Sequence, residues 1–412
     1  MKNKFSRSQN LPPFDPWTDD VGSVDDPSAI IATIPGTLGY YPQESIVVIG
    51  LIPDPANGRE LILGPVLRAD LAHAGQLANF LETAPVERCV AFLGVLVTRT
   101  PDAASARTAI DDLDGLVRED GQPLVDVLWH VSEIAQGTPY TMLFGPDPAL
   151  MAREWPHVNW GHGVVGSVIN SPAMRAMRDN GTLPALNRKD TFEYFEHDVL
   201  VDGGLDVIVD GEVVDIAAVT RDAARRADVL RRQLDQGSPE PGWFARRAMT
   251  ALRDAPPQPL VGVDGRCSLG HAFQELEALN ALVTVLSRSI LRDCVIGTAV
   301  RYPEQSATAL LAIARSFRGV IRANALSLWA IVAISRGLSS WASAALVTAQ
   351  EEIPQHSMSA ICLEILAAGQ QQHLVTTILQ GCELACAHII GAGREDSEER
   401  DDDFDYGAAA SA

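Results

Sequence analysis

The chain has 412 residues, 47% of them hydrophobic and 21% charged, which is globular composition with length enough for two cores. Its formal net charge is −21, yet Phe14–Asp26 carries five acids and no base, and Arg394–Asp405 carries eight acids against two Arg. So −11 of the charge lies in two end segments, and the mildly acidic body argues against non-specific nucleic-acid binding by counterion release.

Residues 1–26 are polar, acidic and Pro-rich, a composition expected to be disordered. Asp26-Pro27-Ser28 starts a helix, with Asp26 as N-cap and Pro27 in the first helical position. The apolar run continues to Leu38 and breaks at Gly39. A short aromatic turn, Tyr40-Tyr41-Pro42, leads into a β-branched strand from Ser45 to Ile52. The turn cluster Pro53–Gly58 calls for a hairpin partner, and Leu61–Leu71 supplies it. Arg68 and Asp70 sit two apart on that partner and share a face.

Gly75–Thr83 reads as a short helix, Val90–Thr98 as a central strand, Ala103–Glu119 as an amphipathic helix and Val125–Ile134 as a further strand. Thr138–Phe144 turns back on the last of these. The stretch 145–163 is loop-like and rich in Pro, Trp and His, Ser171-Pro172 opens a short helix to Asp179, and Phe192–Val213 is ambiguous, with turn signals at Asp202-Gly203 and Asp210-Gly211. Beyond Val214 every segment is helical: Ile216–Gln236, Trp243–Arg253, Gly270–Leu291, Gln305–Phe317, Arg322–Arg336, Ser340–Glu351, Ser357–Ala367 and Gln371–Ile390. The expected fold is an α/β N-terminal domain, a mixed sheet covered by helices over 27–145, a connecting region over 146–213 and an all-α domain over 214–390. An acidic tail, 391–412, follows.

Few residues carry recognisable chemistry. Lysine occurs three times, at 2, 4 and 189, against 29 Arg, and Leu186-Asn-Arg-Lys-Asp190 fits neither a P-loop, a pyridoxal site nor a kinase strand. Gly161-His-Gly163-Val-Val-Gly166 matches a dinucleotide fingerprint, but the Pro-containing stretch before it is a poor strand, so a glycine-rich loop is the better reading. His157, His162, Glu196 and His197 lack metal-ligand spacing; Cys382 and Cys386, near His388 and one helical turn apart, could share a metal, but small apolar Cys packed in a helical core is the commoner case. Neither a metal nor a cofactor is expected. No Gly-x-Ser-x-Gly elbow occurs. Arg221, Arg225, Arg226, Arg231 and Arg232 interleave with Asp222, Asp228 and Asp235, as on a solvated helix face. Six Cys without a Cys-x-x-Cys suit a reducing compartment. With no leader-type apolar segment and no apolar run of membrane length, the expectation is a cytoplasmic protein with no membrane partner.

Two features remain. Tyr40, Pro42, Ser45, Arg68 and Asp70 would hold a small polar or anionic ligand if the fold brings them together; an Arg–Asp pair at a sheet end is the plainer reading. In the helical half, Ala330, Ala342, Ala349 and Pro354 fall at intervals of 12, 7 and 5, the small-residue and proline spacing of a tetratricopeptide repeat. Small residues there let two antiparallel helices approach, and such a pair needs neighbours to bury its faces.

With these residues in view, the chain resembles a bacterial domain-of-unknown-function family, number 4192. Its Pro-x-x-Leu-Gly-aromatic-x-Pro turn and Ser-apolar-Val strand correspond to Pro35, Leu38, Gly39, Tyr40, Pro42, Ser45 and Val47, and its Arg-x-Asp-Leu strand to Arg68, Asp70 and Leu71. Its Ser-Pro-small helix is similar to Ser171-Pro172-Ala173. The segment that often carries Cys in the family is Thr141–Asp147 here, without Cys. The resemblance covers about residues 27–370 and implies the two-part architecture, with a tetratricopeptide-like pair at Ala325–Pro354; it implies no activity. The functional expectation is a non-catalytic adaptor or regulator binding a protein or peptide through the helical domain. The alternative is a small-molecule sensor or enzyme at the Tyr40–Ser45 turn.

Overall fold

The structure, a computed structural model, describes residues 26–53, 61–83, 89–118, 121–154, 158–198, 207–261 and 267–391. The acidic ends and His157, named above, lie outside these residues. In chain order the first part contains α1 (Pro27–Leu38), β1 (Ser45–Pro53), β2 (Leu61–Asp70), α2 (Ala74–Thr83), β3 (Ala91–Val97), α3 (Ala104–Asp114), β4 (Val127–Val131), β5 (Pro139–Phe144), α4 (Pro148–Glu154) and β6 (His162–Val164). Then come α5 (Arg175–Asp179), α6 (Arg188–Glu193) and a two-stranded hairpin, β7 (Val207–Val209) with β8 (Glu212–Val214).

The remainder is helical: α7 (Ile216–Leu234), α8 (Glu240–Asp254), α9 (Leu269–Ala272), α10 (Leu276–Leu286), α11 (Ser289–Arg292), α12 (Ile296–Arg301), α13 (Pro303–Ser316), α14 (Val320–Ser335), α15 (Ser339–Glu352), α16 (Ser357–Ala367) and α17 (Gln371–Gly391).

The sheet runs β2-β1-β3-β4-β5-β6. β3 and β4 are parallel, joined through α3, and every other neighbouring pair is antiparallel. β1, between β2 and β3, is buried from Ser45 to Leu51, and its alternation sends two sets of side chains into two cores. Ile46 and Val48 meet Leu71, Leu77, Ala106 and Leu113 beneath α2 and α3. Val47 and Ile49 meet Ile30, Ile31 and Ile34 of α1. That second core does not stop at the sheet: it runs on through Met174, Met177 and Phe195 into the helical array as far as Ile389.

α1 begins and ends as its sequence dictates. The Asp26 carboxylate accepts the Ser28 N–H at 2.9 Å. Gly39 closes the helix at φ +80°, a left-handed conformation open to glycine, and a Cβ there would sit 2.6 Å from the Ser340 hydroxyl. The hairpin, the β3–α3–β4 unit and the helices from α13 onward also stand where the sequence put them.

Several expectations fail. The stretch 145–163, expected as loop, carries α4 at Pro148–Glu154, and the helix expected over Ala103–Glu119 is α3, Ala104–Asp114. The fingerprint at Gly161–Gly166 is no loop: His162–Val164 is β6, an edge strand on β5. Its Gly163 is there for close approach, since a Cβ would lie 2.6–2.8 Å from the Tyr140 phenol. That hydroxyl donates to Asn159 O at 2.8 Å, and burial pushes its pKa up to about 12. The single helix Gly270–Leu291 is three pieces, α9 to α11, interrupted where Phe273 turns extended at φ −126°, ψ 123°. Phe273 is 2% exposed, so burial of its ring outweighs the continuity of the helix.

A buried polar network joins three helices of the array. His356 Nδ1 faces the Ser359 N–H at 3.4 Å as the N-cap acceptor of α16, so its proton sits on Nε2 and is donated to Asn324 Oδ1 at 3.0 Å. Arg292 Nη1 donates to the same oxygen at 2.5 Å. Burial, then the Arg292 charge, hold the His356 pKa below its ordinary 6.5, and burial with Arg322 and Arg318 does the same to His197. The unfolded chain therefore takes protons before the folded one, and this stability is fully present above pH about 6.5 and lost progressively as pH falls below it through the lower folded pKa values. Denaturant midpoints compared at pH 7.5 and 5.5 should drop on acidification, with a smaller drop in His356→Gln.

Candidate functional site

The Tyr40–Ser45 turn sits at the end of the sheet where β1 and β5 begin and β2, β3 and β4 finish. Cross-strand register sets Ser45 opposite Asp70 and Val47 opposite Arg68, so both polar side chains of β2 lie on the α1 face. There Arg68 donates to the Ser45 hydroxyl from Nε at 3.0 Å and Nη2 at 2.6 Å, and Nη2 also donates to Asp70 Oδ1 at 2.5 Å. Ser45, with no exposure, passes its own proton to Gln43 O at 2.5 Å. Tyr40 closes the group at 9% exposure, its phenol pKa raised by burial against the opposing charges of Arg68 and Arg188. The structure thus brings Tyr40, Ser45, Arg68 and Asp70 together, with Pro42 buried beside them.

Their polar atoms are largely spent on one another. A segment near Ala185 seals the turn further: the Tyr41 N–H donates to Ala185 O at 3.0 Å, and the Ala185 N–H donates to Gly39 O at 2.8 Å. Two cavities among the described residues lie away from the turn. One, of about 270 Å³, lies among Asp179, Asn180, Leu260, Glu304 and Arg336, and the other opens at Gly369–His373. Arg68→Met is expected to cost ~1–3 kcal/mol in denaturant unfolding, because a buried hydroxyl loses its donor while Asp70, half in solvent, loses little.

Three neighbours escaped the reading of the sequence. Glu44, at φ +42°, points its carboxylate across the sheet end to the Thr98 hydroxyl at 2.7 Å and the Arg99 N–H at 3.3 Å. Arg188 lies close enough to act on Tyr40. Ala185 makes a parallel bridge with Tyr40. Only the positive φ of Glu44 had a sequence correlate, its place in a turn directly before a strand.

The other candidates resolve plainly. His162 bonds Asn159 at 3.2 Å, and His197 lies 3.7 Å from Glu352, a long way along the chain from His162. No cluster of three or more His, Cys, Asp or Glu suited to a metal occurs among the described residues. The Arg-rich helix is α7, where Arg225 pairs with Asp222, Asp228 takes Arg288 at 2.6 Å, and Arg226 lies over the Phe244 ring. Cys382 and Cys386 face each other at 4.0 Å on α17, and their contact pushes the Cys382 pKa down and that of Cys386 up. The expectation of no apolar run of membrane length is corrected by α17, which is long and apolar enough to cross a membrane by length and composition alone, at mean hydropathy 1.4, while its Leu374, Cys382 and Ile389 are buried.

No curated protein and no solved structure matches the chain. The family model described as "Domain of unknown function (DUF4192)" matches residues 27–372, from the first residue of α1 to the first turn of α17. The match takes in the sealed turn, the Arg68–Asp70 strand and nearly the whole helical array, and the chain is a member of that family.

Proposed function

We propose that this protein is a non-catalytic adaptor or regulator that holds a protein or peptide partner against its helical half. The observation that carries the reading is the outer end of the array. On α16 and α17, its last two helices, Ile361 is 54% and Leu384 74% exposed, while α14 behind them is buried almost throughout. A stacked-helix array that ends in apolar side chains suits a partner that covers them. The closed hydrogen bonding of the turn supports the same reading, because a sealed group offers little to a ligand.

Tetratricopeptide-like packing of α14 on α15 is part of this proposal. Ala330, Ala342 and Ala349 have no exposure, and Pro354 follows the end of α15. If Ala342 is a contact residue of the pair, Ala342→Leu should cost ~1–3 kcal/mol by overpacking. An exposed Ala changed to Leu on a helix would shift stability by only a few tenths of a kcal/mol. A neutral Ala342→Leu beside a damaging Ser343→Leu would refute the register.

The adaptor reading is tested by capture from the native host with the full chain and with Ile361→Asp and Leu384→Asp. A partner retained by the parent, lost by both variants, with unchanged melting temperatures, supports it. The ligand reading has one observation in its favour, the convergence of Tyr40, Ser45, Arg68 and Asp70. A metabolite that raises the melting temperature of the parent chain but not of Arg68→Met would replace the adaptor reading with it.

A further inference from the structure

We propose that Cys382 and Cys386 form a two-coordinate site for one monovalent thiophilic cation of the copper(I) class. The two thiols lie one helical turn apart on α17 with their sulfurs 4.0 Å from each other. Metal–thiolate bonds of about 2.3 Å, the zinc value serving as a guide, span about 4.6 Å in a linear S–M–S arrangement. A small side-chain rotation closes that gap. Coordination number selects the ion: with no third His, Cys, Asp or Glu completing a set among the described residues, a closed tetrahedral zinc centre is not available. Two soft thiolates suit copper(I).

The surroundings are those of a built site. Gly297 N–H donates to the Cys382 sulfur at 3.1 Å from another helix, α12, an outer hydrogen bond that fixes the ligand. Glycine suits that position, because a Cβ there would already stand 3.3 Å from the sulfur. Both thiols now give their protons to a single carbonyl, Cys294 O, at 3.1 Å from Cys386 and 3.5 Å from Cys382. Cation entry replaces those protons: two thiols and one Cu⁺ give a bis-thiolate complex of charge −1 and release two H⁺ to solvent, with no change of oxidation state. The carbonyl then faces the cation. Cys386 is half-buried and provides the route in.

Helix geometry also keeps the pair reduced. Residues four apart hold their Cβ atoms about 5–6 Å apart, whereas a disulfide needs about 3.5–4.5 Å. The thiols stay available for a cation where a closer pair would oxidise.

The test is an anaerobic titration of the reduced full chain with copper(I) against a chromophoric chelator, with native mass spectrometry for stoichiometry. The expected result is one copper per chain, with affinity lowered about 100-fold or more in Cys382→Ser and in Cys386→Ser, because losing a ligand costs no less than losing its outer-shell support. Cys89→Ser, in the core on the other side of the sheet, should leave affinity unchanged. Copper retained by Cys386→Ser, or weakened equally by Cys89→Ser, overturns the proposal. Because Cys386 is the less buried of the two, its variant decides the matter should Cys382→Ser fail to fold.

Discussion

Replacing Arg322 by Met is expected to remove about 3–5 kcal/mol of stability, the range for breaking a buried ion pair from one side. The Arg322 side chain is 5% exposed and ties three segments together. Its Nη1 donates to Ala314 O at 2.7 Å at the end of α13, and its Nη2 to Phe195 O at 2.9 Å. Its Nε lies 3.1 Å from Glu352 Oε2 on α15. Met fills much of the same volume but leaves two carbonyls short of a donor and one carboxylate short of its counter-charge. Glu352 would keep the Gly319 N–H at 2.5 Å and His197 at 3.7 Å. Denaturant unfolding of Arg322→Met, Glu352→Gln and the double variant would separate the pair from the rest. The double variant should lose clearly less than the sum of the two, since the second change removes a group the first had stranded. Strict additivity, or a loss under about 1 kcal/mol for Arg322→Met, would show that the clamp is not what joins these segments.

A loss of the same order, about 3–5 kcal/mol, is expected for Trp329→Ala, by a different mechanism. Trp329 has no exposure, and its ring meets Phe195 edge-on at 4.8 Å and Tyr194 at 6.2 Å. Tyr194 in turn stands against Trp341 at 5.5 Å and donates to Leu260 O at 3.0 Å. The indole N–H of Trp329 has no hydrogen-bond partner among the described residues, so its deletion costs packing rather than polar satisfaction. Trp329→Phe should therefore be far milder than Trp329→Ala, and the difference should scale with the cavity left behind. Equal losses would mean the nitrogen matters after all.

What could be read in the chain was local. The caps of α1, the hairpin and the bounds of the last five helices each follow from signals within a few residues: Asp26 with Pro27, Gly39, the Pro53–Gly58 cluster, and apolar runs ended by Gly, Pro or Ser. β6 was hidden because three residues with a glycine in the middle carry no strand pattern; pairing with β5 and the Tyr140 ring make it a strand. The break between α9 and α10 is likewise tertiary, decided by where Phe273 is buried. At the candidate site, the shared face of Arg68 and Asp70 was legible from their spacing. Their meeting with Ser45 needed the register of β1 on β2, which the sequence does not print. Glu44, Arg188 and Ala185 depend on chain returning from far away, and nothing near them announces it.

α1 has a further consequence, in time rather than in space. It leaves the ribosome before the other described helices, and two of its close approaches are completed much later. Gly36 awaits the backbone at Ala173, where a Cβ would already stand 2.7 Å from the Ala173 carbonyl carbon, and Gly39 awaits Ser340. At synthesis rates of ~5–20 residues per second, about 300 residues separate Gly39 from that last contact, an interval of about 15–60 s. Val47 and Ile49, made directly after α1, shelter Ile30, Ile31 and Ile34 early, so it is the Gly36 and Gly39 side of the helix that waits for its final cover. Slowing translation between β6 and α15 would lengthen the exposure of that side.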